Sequence, residues 1–66
     1  MDYKEEFTQL IEENRLDDAR ILLEKHKLYA SEEPFYYGNM GWILNHMERY
    51  QEAEVFLRKG LVYFPE

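Results

Sequence analysis

The side chains here whose types suggest chemistry are two histidines and a series of adjacent acids. His26 and His46 stand far apart in the chain, and no cysteine accompanies them. A zinc or catalytic metal site needs ligands at set spacings, such as two histidines four residues apart on one helix face or closely paired cysteines. Neither spacing occurs, so both histidines read as surface or partly packed groups. General acid–base work needs two carboxylates that face one another. Glu5/Glu6, Glu12/Glu13, Asp17/Asp18 and Glu32/Glu33 are sequence neighbours, and neighbours on a helix point apart. They read as solvated faces. There is no calcium-loop spacing, no phosphate-cradling glycine loop and no nucleophile elbow. Tyr36, Tyr37 and Trp42, close to Gly38 and Gly41, are types that can wall a small-ligand pocket, but aromatics at helical spacing are more simply core. The expectation is a chain without catalytic residues, metal or cofactor.

The elements that carry these residues follow from hydrophobic spacing. Tyr3, Phe7, Leu10 and Ile11 recur at i, i+4, i+7 and i+8, one face of a helix. Asn14, which tolerates the left-handed conformation that ends many helices, follows it. Leu16, Ala19, Ile21, Leu22, Leu23, Leu28 and Tyr29 form a second, more broadly apolar helix. Asp17 and Asp18 in its first turn and Lys25 and Lys27 near its end suit the helix dipole. The Ser31-Glu32-Glu33-Pro34 stretch is a break, with proline at a first helical position. A third helix is predicted over 34–47 and a fourth over 50–63, closed by Pro65. No segment alternates with period two, so the fold class is all-α: four helices in two antiparallel hairpins, since short connections force neighbours to pack antiparallel. Gly41 lies inside the third helix, where glycine costs about 1 kcal/mol relative to alanine. Close helix approach is the usual reason, with Ala53 as the expected opposite number and Gly60 serving the other side of helix four.

Sixty-six residues make one small domain, and 45% hydrophobic and 17% aromatic residues allow a thin core. Without cysteine no disulfide can staple it, which fits a reducing compartment. The acidic, polar start and the lack of a long apolar run argue against a signal peptide or membrane span and for a cytoplasmic protein. A net charge of −6 disfavours nucleic acid and anionic membranes, because both are bound through Lys and Arg. A basic or neutral protein partner is favoured, with plain solubility as the competing account of the charge.

The chain also matches itself. At an offset of 34 residues, eight of 32 pairs are identical: Tyr3/Tyr37, Leu10/Leu44, Arg15/Arg49, Ala19/Ala53, Leu23/Leu57, Lys25/Lys59, Tyr29/Tyr63 and Glu32/Glu66. Chance gives roughly two. Asp18/Glu52, Ile21/Val55, Leu22/Phe56 and Leu28/Val62 keep character. Such a period marks stacked helical units, which present surfaces more often than catalytic pockets.

The pattern resembles the tetratricopeptide repeat, a unit of 34 residues and two antiparallel helices. Residues 34–66 carry the resemblance through Tyr37, Gly41, Leu44, Tyr50, Ala53, Leu57, Gly60 and Pro65, all in register. Residues 1–33 carry it more loosely through Tyr3, Leu10, Leu16, Ala19, Leu23 and Tyr29. Phe7 and His26 stand where the family keeps small residues. Glu48 stands where its turn often has glycine, and so must take a left-handed conformation or a different turn.

The resemblance implies that the first helix of each unit lines a concave groove for an extended peptide or a partner helix. Carried over by position, the first unit contributes Lys4, Glu5, Thr8, Ile11 and Glu12. The second contributes Phe35, Asn39, Trp42, Asn45 and His46. Helical periodicity separately places Asn39, Trp42, Asn45 and His46 on a face turned away from Tyr37, Met40, Gly41 and Leu44. Trp42 is then a binding anchor or a packing residue against a neighbouring copy. Some members grip a C-terminal carboxylate with lysine and asparagine; Lys4 and Asn39 match two such positions, and Thr8 replaces a further asparagine. Ordinary solvated polar residues are the competing account. Repeat units of this kind normally stack in threes under a polar cap. The fourth helix carries Leu57, Leu61 and Phe64 where a following unit would dock. They imply self-association into a homo-oligomer, continuation in a longer array, or cover by a partner. The functional expectation is a non-catalytic protein–protein interaction module. The alternatives are an accessory segment of a larger protein or enzyme, and a purely structural self-assembling unit.

Overall fold

The computed structural model describes residues 2–30 and 32–65, with only the backbone at Tyr29. Expectations resting on Met1, on Ser31 in the interhelical break, on the Tyr29 side chain and on Glu66 lie outside the described residues.

Helices and tight turns make up the described chain: α1 (Tyr3–Glu12), α2 (Leu16–Lys25), α3 (Lys27–Ala30), α4 (Pro34–His46) and α5 (Tyr50–Tyr63). The class is all-α, as expected. α1 pairs with α2 and α4 with α5 as hairpins, and α4 packs on α2 and α3 to join them. The expected second helix is divided into α2 and α3 at His26, whose backbone (φ −97°, ψ 14°) leaves the helical region. Its amide is shared between the Leu22 and Leu23 carbonyls, both at 3.2 Å, so the helix tightens and restarts.

Local chemistry fixes the helix ends. The Asp2 carboxylate accepts from the Lys4 amide at 3.3 Å, capping α1. Pro34 opens α4 after an extended Glu33 (φ −126°, ψ 145°), the conformation a following proline imposes. Both hairpin turns are built alike. Asn14 and Glu48, 34 positions apart, are left-handed with φ of 58° and 62°. The Asn14 amide donates to the Ile11 carbonyl and the Arg15 amide to the Leu10 carbonyl, each at 2.9 Å. The Glu48 amide donates to Asn45 at 3.0 Å and Arg49 to Leu44 at 2.8 Å, the same two bonds displaced by 34. This is the paired bonding that closes a helix through one left-handed residue. Arg15 and Arg49 then start the next helices with near-identical backbones and reach Asp18 at 3.0 Å and Glu52 at 2.5 Å.

The core runs through both hairpins: Phe7, Ala19, Leu22, Leu23, Ala30, Tyr36, Tyr37, Met40, Ile43, Leu44 and Ala53 are buried. The two bulky departures in the first hairpin are absorbed by aromatic contact. Phe7 meets Phe35 edge-on at 5.6 Å, and His26 stacks on Tyr3 at 5.0 Å. In the second hairpin Gly60 takes the place of His26, and a Cβ there would sit 3.0 Å from that of Tyr37. Gly41 does admit a close neighbour: the atoms nearest a Cβ there belong to Leu57, whose Cγ would lie 2.6 Å away. Ala53 is enclosed in the core.

Two substitutions test these assignments. Glu48→Gly relieves a left-handed non-glycine residue and is expected to stabilise the chain by roughly 0.5–1 kcal/mol in urea denaturation, whereas Glu48→Ala is not. Gly41→Ala is expected to realise its helix-propensity gain of about 1 kcal/mol only in a Leu57→Ala background, giving a non-additive double-mutant cycle. Additive effects would show that Leu57 does not set the α4–α5 approach.

Candidate binding surface

α1 and α4 stand apart. Among the described residues no Cα of α1 comes within 8 Å of a Cα of α4, so side chains alone bridge the space. Tyr3 and Phe7 both meet the Phe35 ring edge-on, at 5.9 and 5.6 Å. Beyond this bridge the gap remains a hollow of about 250 Å³, lined by Phe7, Thr8, Ile11, Asn39 and Trp42. Of the residues expected at the groove, Thr8, Ile11, Asn39 and Trp42 line the hollow directly. Lys4 and Phe35 lie one turn earlier on the same two helices, with Lys4 Nζ 5.3 Å from the Phe35 ring centroid. His46 covers Trp42 from the next turn: the ring centroids are 4.0 Å apart and His46 Nδ1 is 3.0 Å from the Trp42 carbonyl. Asn45 is exposed on α4 but does not line the hollow.

Polar groups around the hollow already hold partners within the chain. Asn39 Nδ2 donates to the Phe35 carbonyl at 2.9 Å, and Thr8 Oγ1 donates to the Lys4 carbonyl at 3.0 Å. Lys4 Nζ lies 2.6 Å from the Glu33 carboxylate, and this hydrogen bond holds the ammonium above its ordinary pKa. Glu33 also accepts from the Tyr3 hydroxyl at 3.4 Å. Burial, with the Glu33 charge adding to it, raises the Tyr3 phenol. The exposed Glu5 and Glu12 carboxylates stand beside Thr8 on α1 and add acceptors and negative charge to the rim. Such a rim suits a partner that brings donors or positive charge. A carboxylate gripped by Lys4 and Asn39 would share the Lys4 ammonium with the Glu33 carboxylate.

Glu33 was not anticipated at this site. It lies in the interhelical break, and only the tertiary fold brings it to Lys4. Phe7 read as core, yet one edge of it floors the hollow, since a ring can be buried and still bound an open space.

A second surface lies on the far side of α4 and α5. Pro34, Tyr37, Gly38, Leu57, Gly60, Leu61 and Phe64 line a hollow of about 420 Å³. The three residues expected to mediate association are thus brought together. Leu57 is 41% and Leu61 67% exposed, and Phe64 is half-buried. Among the described residues no three His, Cys, Asp or Glu side chains converge on a metal-sized space, and no helix is long and apolar enough to cross a membrane.

No family model, curated protein or solved structure matches this chain.

Trp42 is the only tryptophan, so its emission reports on the hollow directly. Removing the covering imidazole by His46→Ala is expected to shift the emission to longer wavelength and increase acrylamide quenching, with helical circular dichroism unchanged. Identical emission would mean that His46 does not cover the indole in solution.

Proposed function

We propose that this chain is a non-catalytic protein–protein interaction module of the tetratricopeptide type, with units at 1–33 and 34–66. The hollow between α1 and α4 takes a basic or neutral peptide, or one face of a partner helix. The outer side of α5 mediates association between copies. The cysteine-free composition supports a cytoplasmic setting. The repeat reading is supported by the two hairpin turns, whose left-handed residues and hydrogen bonds coincide after a shift of 34.

The observation that carries the binding reading is the placement of Trp42. It is 39% exposed at the wall of an apolar-floored hollow, on a helix that buries Tyr36, Tyr37, Met40, Ile43 and Leu44. Indole supplies a large rigid contact area with few rotors to immobilise, which is why tryptophan is enriched among interface residues that dominate affinity. The floor of Phe7 and Ile11 gives an apolar anchor somewhere to go, and the acceptor-rich rim selects for donors around it.

Peptides selected by display on the immobilised chain test this. Trp42→Ala is expected to weaken their binding by about thirtyfold, equivalent to roughly 2 kcal/mol. Trp42→Phe should retain part of it, and helicity should be intact in both. Undiminished binding by Trp42→Ala would reject the hollow as the site. A parallel loss of helical signal would make Trp42 a packing residue.

A further inference from the structure

We propose that two copies of this chain associate through α5 as a closed two-fold dimer, with the α5 helices antiparallel and head-to-tail growth disfavoured by the polar face of α1. This rests on the self-association reading above, fixes its geometry, and is independent of the α1–α4 hollow.

The shift of 34 residues supplies a template. The surface of α2 and α3 is closed by α4, and Leu23 and Ala30 on it are fully buried. Their counterparts on the second hairpin, Leu57 and Phe64, remain partly exposed. Where the first hairpin has the exposed Lys27, the second has Leu61. The second surface is therefore equivalent in position, open, and more apolar.

A head-to-tail copy would have to cover it with α1, as α4 covers α2. α4 turns Tyr36, Met40 and Ile43 inward, all at most 2% exposed. Thirty-four residues earlier stand Asp2, Glu6 and Gln9, all exposed. Glu6 and Gln9 also border a hollow whose lining mixes Glu13, Arg15, Asp18 and Lys25 with Leu10, Ile21 and Leu22. Pressing Asp2 and Glu6 onto Leu57 and Leu61 would set carboxylates against apolar side chains, which is costly. Head-to-tail contact through the first hairpin is disfavoured for that reason.

α5 offers something it can pair with: itself. Tyr50, Glu54, Leu57, Leu61 and Phe64 follow steps of 4, 3, 4 and 3, the spacing of a helix–helix seam. Tyr50 and Leu61 are 61% and 67% exposed. Beside this seam a Cβ at Gly38 would meet nothing within 4 Å, so the same face carries both a projecting Leu61 and a recess for its partner's. That is the self-complementarity a two-fold interface demands. Charge decides the direction. The single polar seam residue, Glu54, is ion-paired to Arg58. Antiparallel helices crossing near Leu57 set Glu54 of each copy against Arg58 of the other, whereas parallel ones set like against like. The apolar area is on the order of 500 Å² per copy, at the low end for a specific interface, so association on the order of tens of micromolar is expected.

Sedimentation equilibrium of the whole chain from 5 to 500 μM, as approximate bounds around that affinity, tests this. The expected result is a monomer–dimer equilibrium with no larger species. Leu61→Glu and Gly38→Gln should each raise the dissociation constant at least about tenfold with circular dichroism unchanged. Because the chain has no cysteine, orientation can be read by cross-linking. A mixture of Glu54→Cys and Arg58→Cys chains should give the mixed disulfide in excess over either like pair. Mass rising beyond the dimer, or dimers indifferent to both substitutions, would overturn the proposal. Preferential 54–54 cross-linking would overturn the antiparallel geometry while leaving self-association standing. A monomer throughout would remove both.

Discussion

Almost everything in this molecule answers to the need to cover α4 on more than one side. Six of its 13 residues are buried, from Tyr36 and Tyr37 through Met40, Gly41 and Ile43 to Leu44. A helix that is apolar around most of its circumference cannot lie on a surface. α5 closes one flank, and α2 with α3 closes another. This is what makes two hairpins one domain: neither could leave without exposing α4. The close approach of α5 in turn depends on Gly41 and Gly60, which admit Leu57 and Tyr37 where side chains would intrude. α1, held by its own hairpin and by aromatic edges, does not reach the α4 backbone. The hollow is what remains between them.

The polar chemistry of that hollow follows from helix geometry more than from any special residue. Thr8 and Asn39 each point a donor at the carbonyl four residues back, as short polar side chains on helices commonly do. Lys4 is drawn to Glu33. Once these bonds are made, the space between the helices presents aromatic floor, one indole wall and acceptors. A surface of that kind is suited to discrimination by shape and by the sign of charge.

Much of the architecture was legible because the chain states it twice. Arg15/Arg49, Ala19/Ala53 and Leu10/Leu44 recur since the same turn, the same buried small residue and the same turn-closing carbonyl recur in space. Glu48 exposed the logic from the other side. It is a poor residue for a left-handed turn, yet the turn kept its geometry at φ 62°, because the flanking helices over-determine it. The groove face was legible in part, since helical periodicity alone set Asn39 and Trp42 off the core stripe. Other features were not readable. The break at His26 depends on a ring stacked on Tyr3, a contact across the hairpin that no local preference encodes. The Lys4–Glu33 pair joins α1 to the break before α4, far apart in sequence. Gly41 signalled a close approach but not by whom, because spacing fixes which faces meet and leaves the interlocking of individual side chains open.

The distribution of buried residues has a dynamic consequence. α1 encloses a single residue, Phe7, and α5 only Ala53, whereas α4 encloses six. Local opening is cheapest where least apolar contact is surrendered. Opening is therefore expected to start at α1, whose backbone packs on that of α2 alone, with the α4 amides the slowest to trade their protons with solvent.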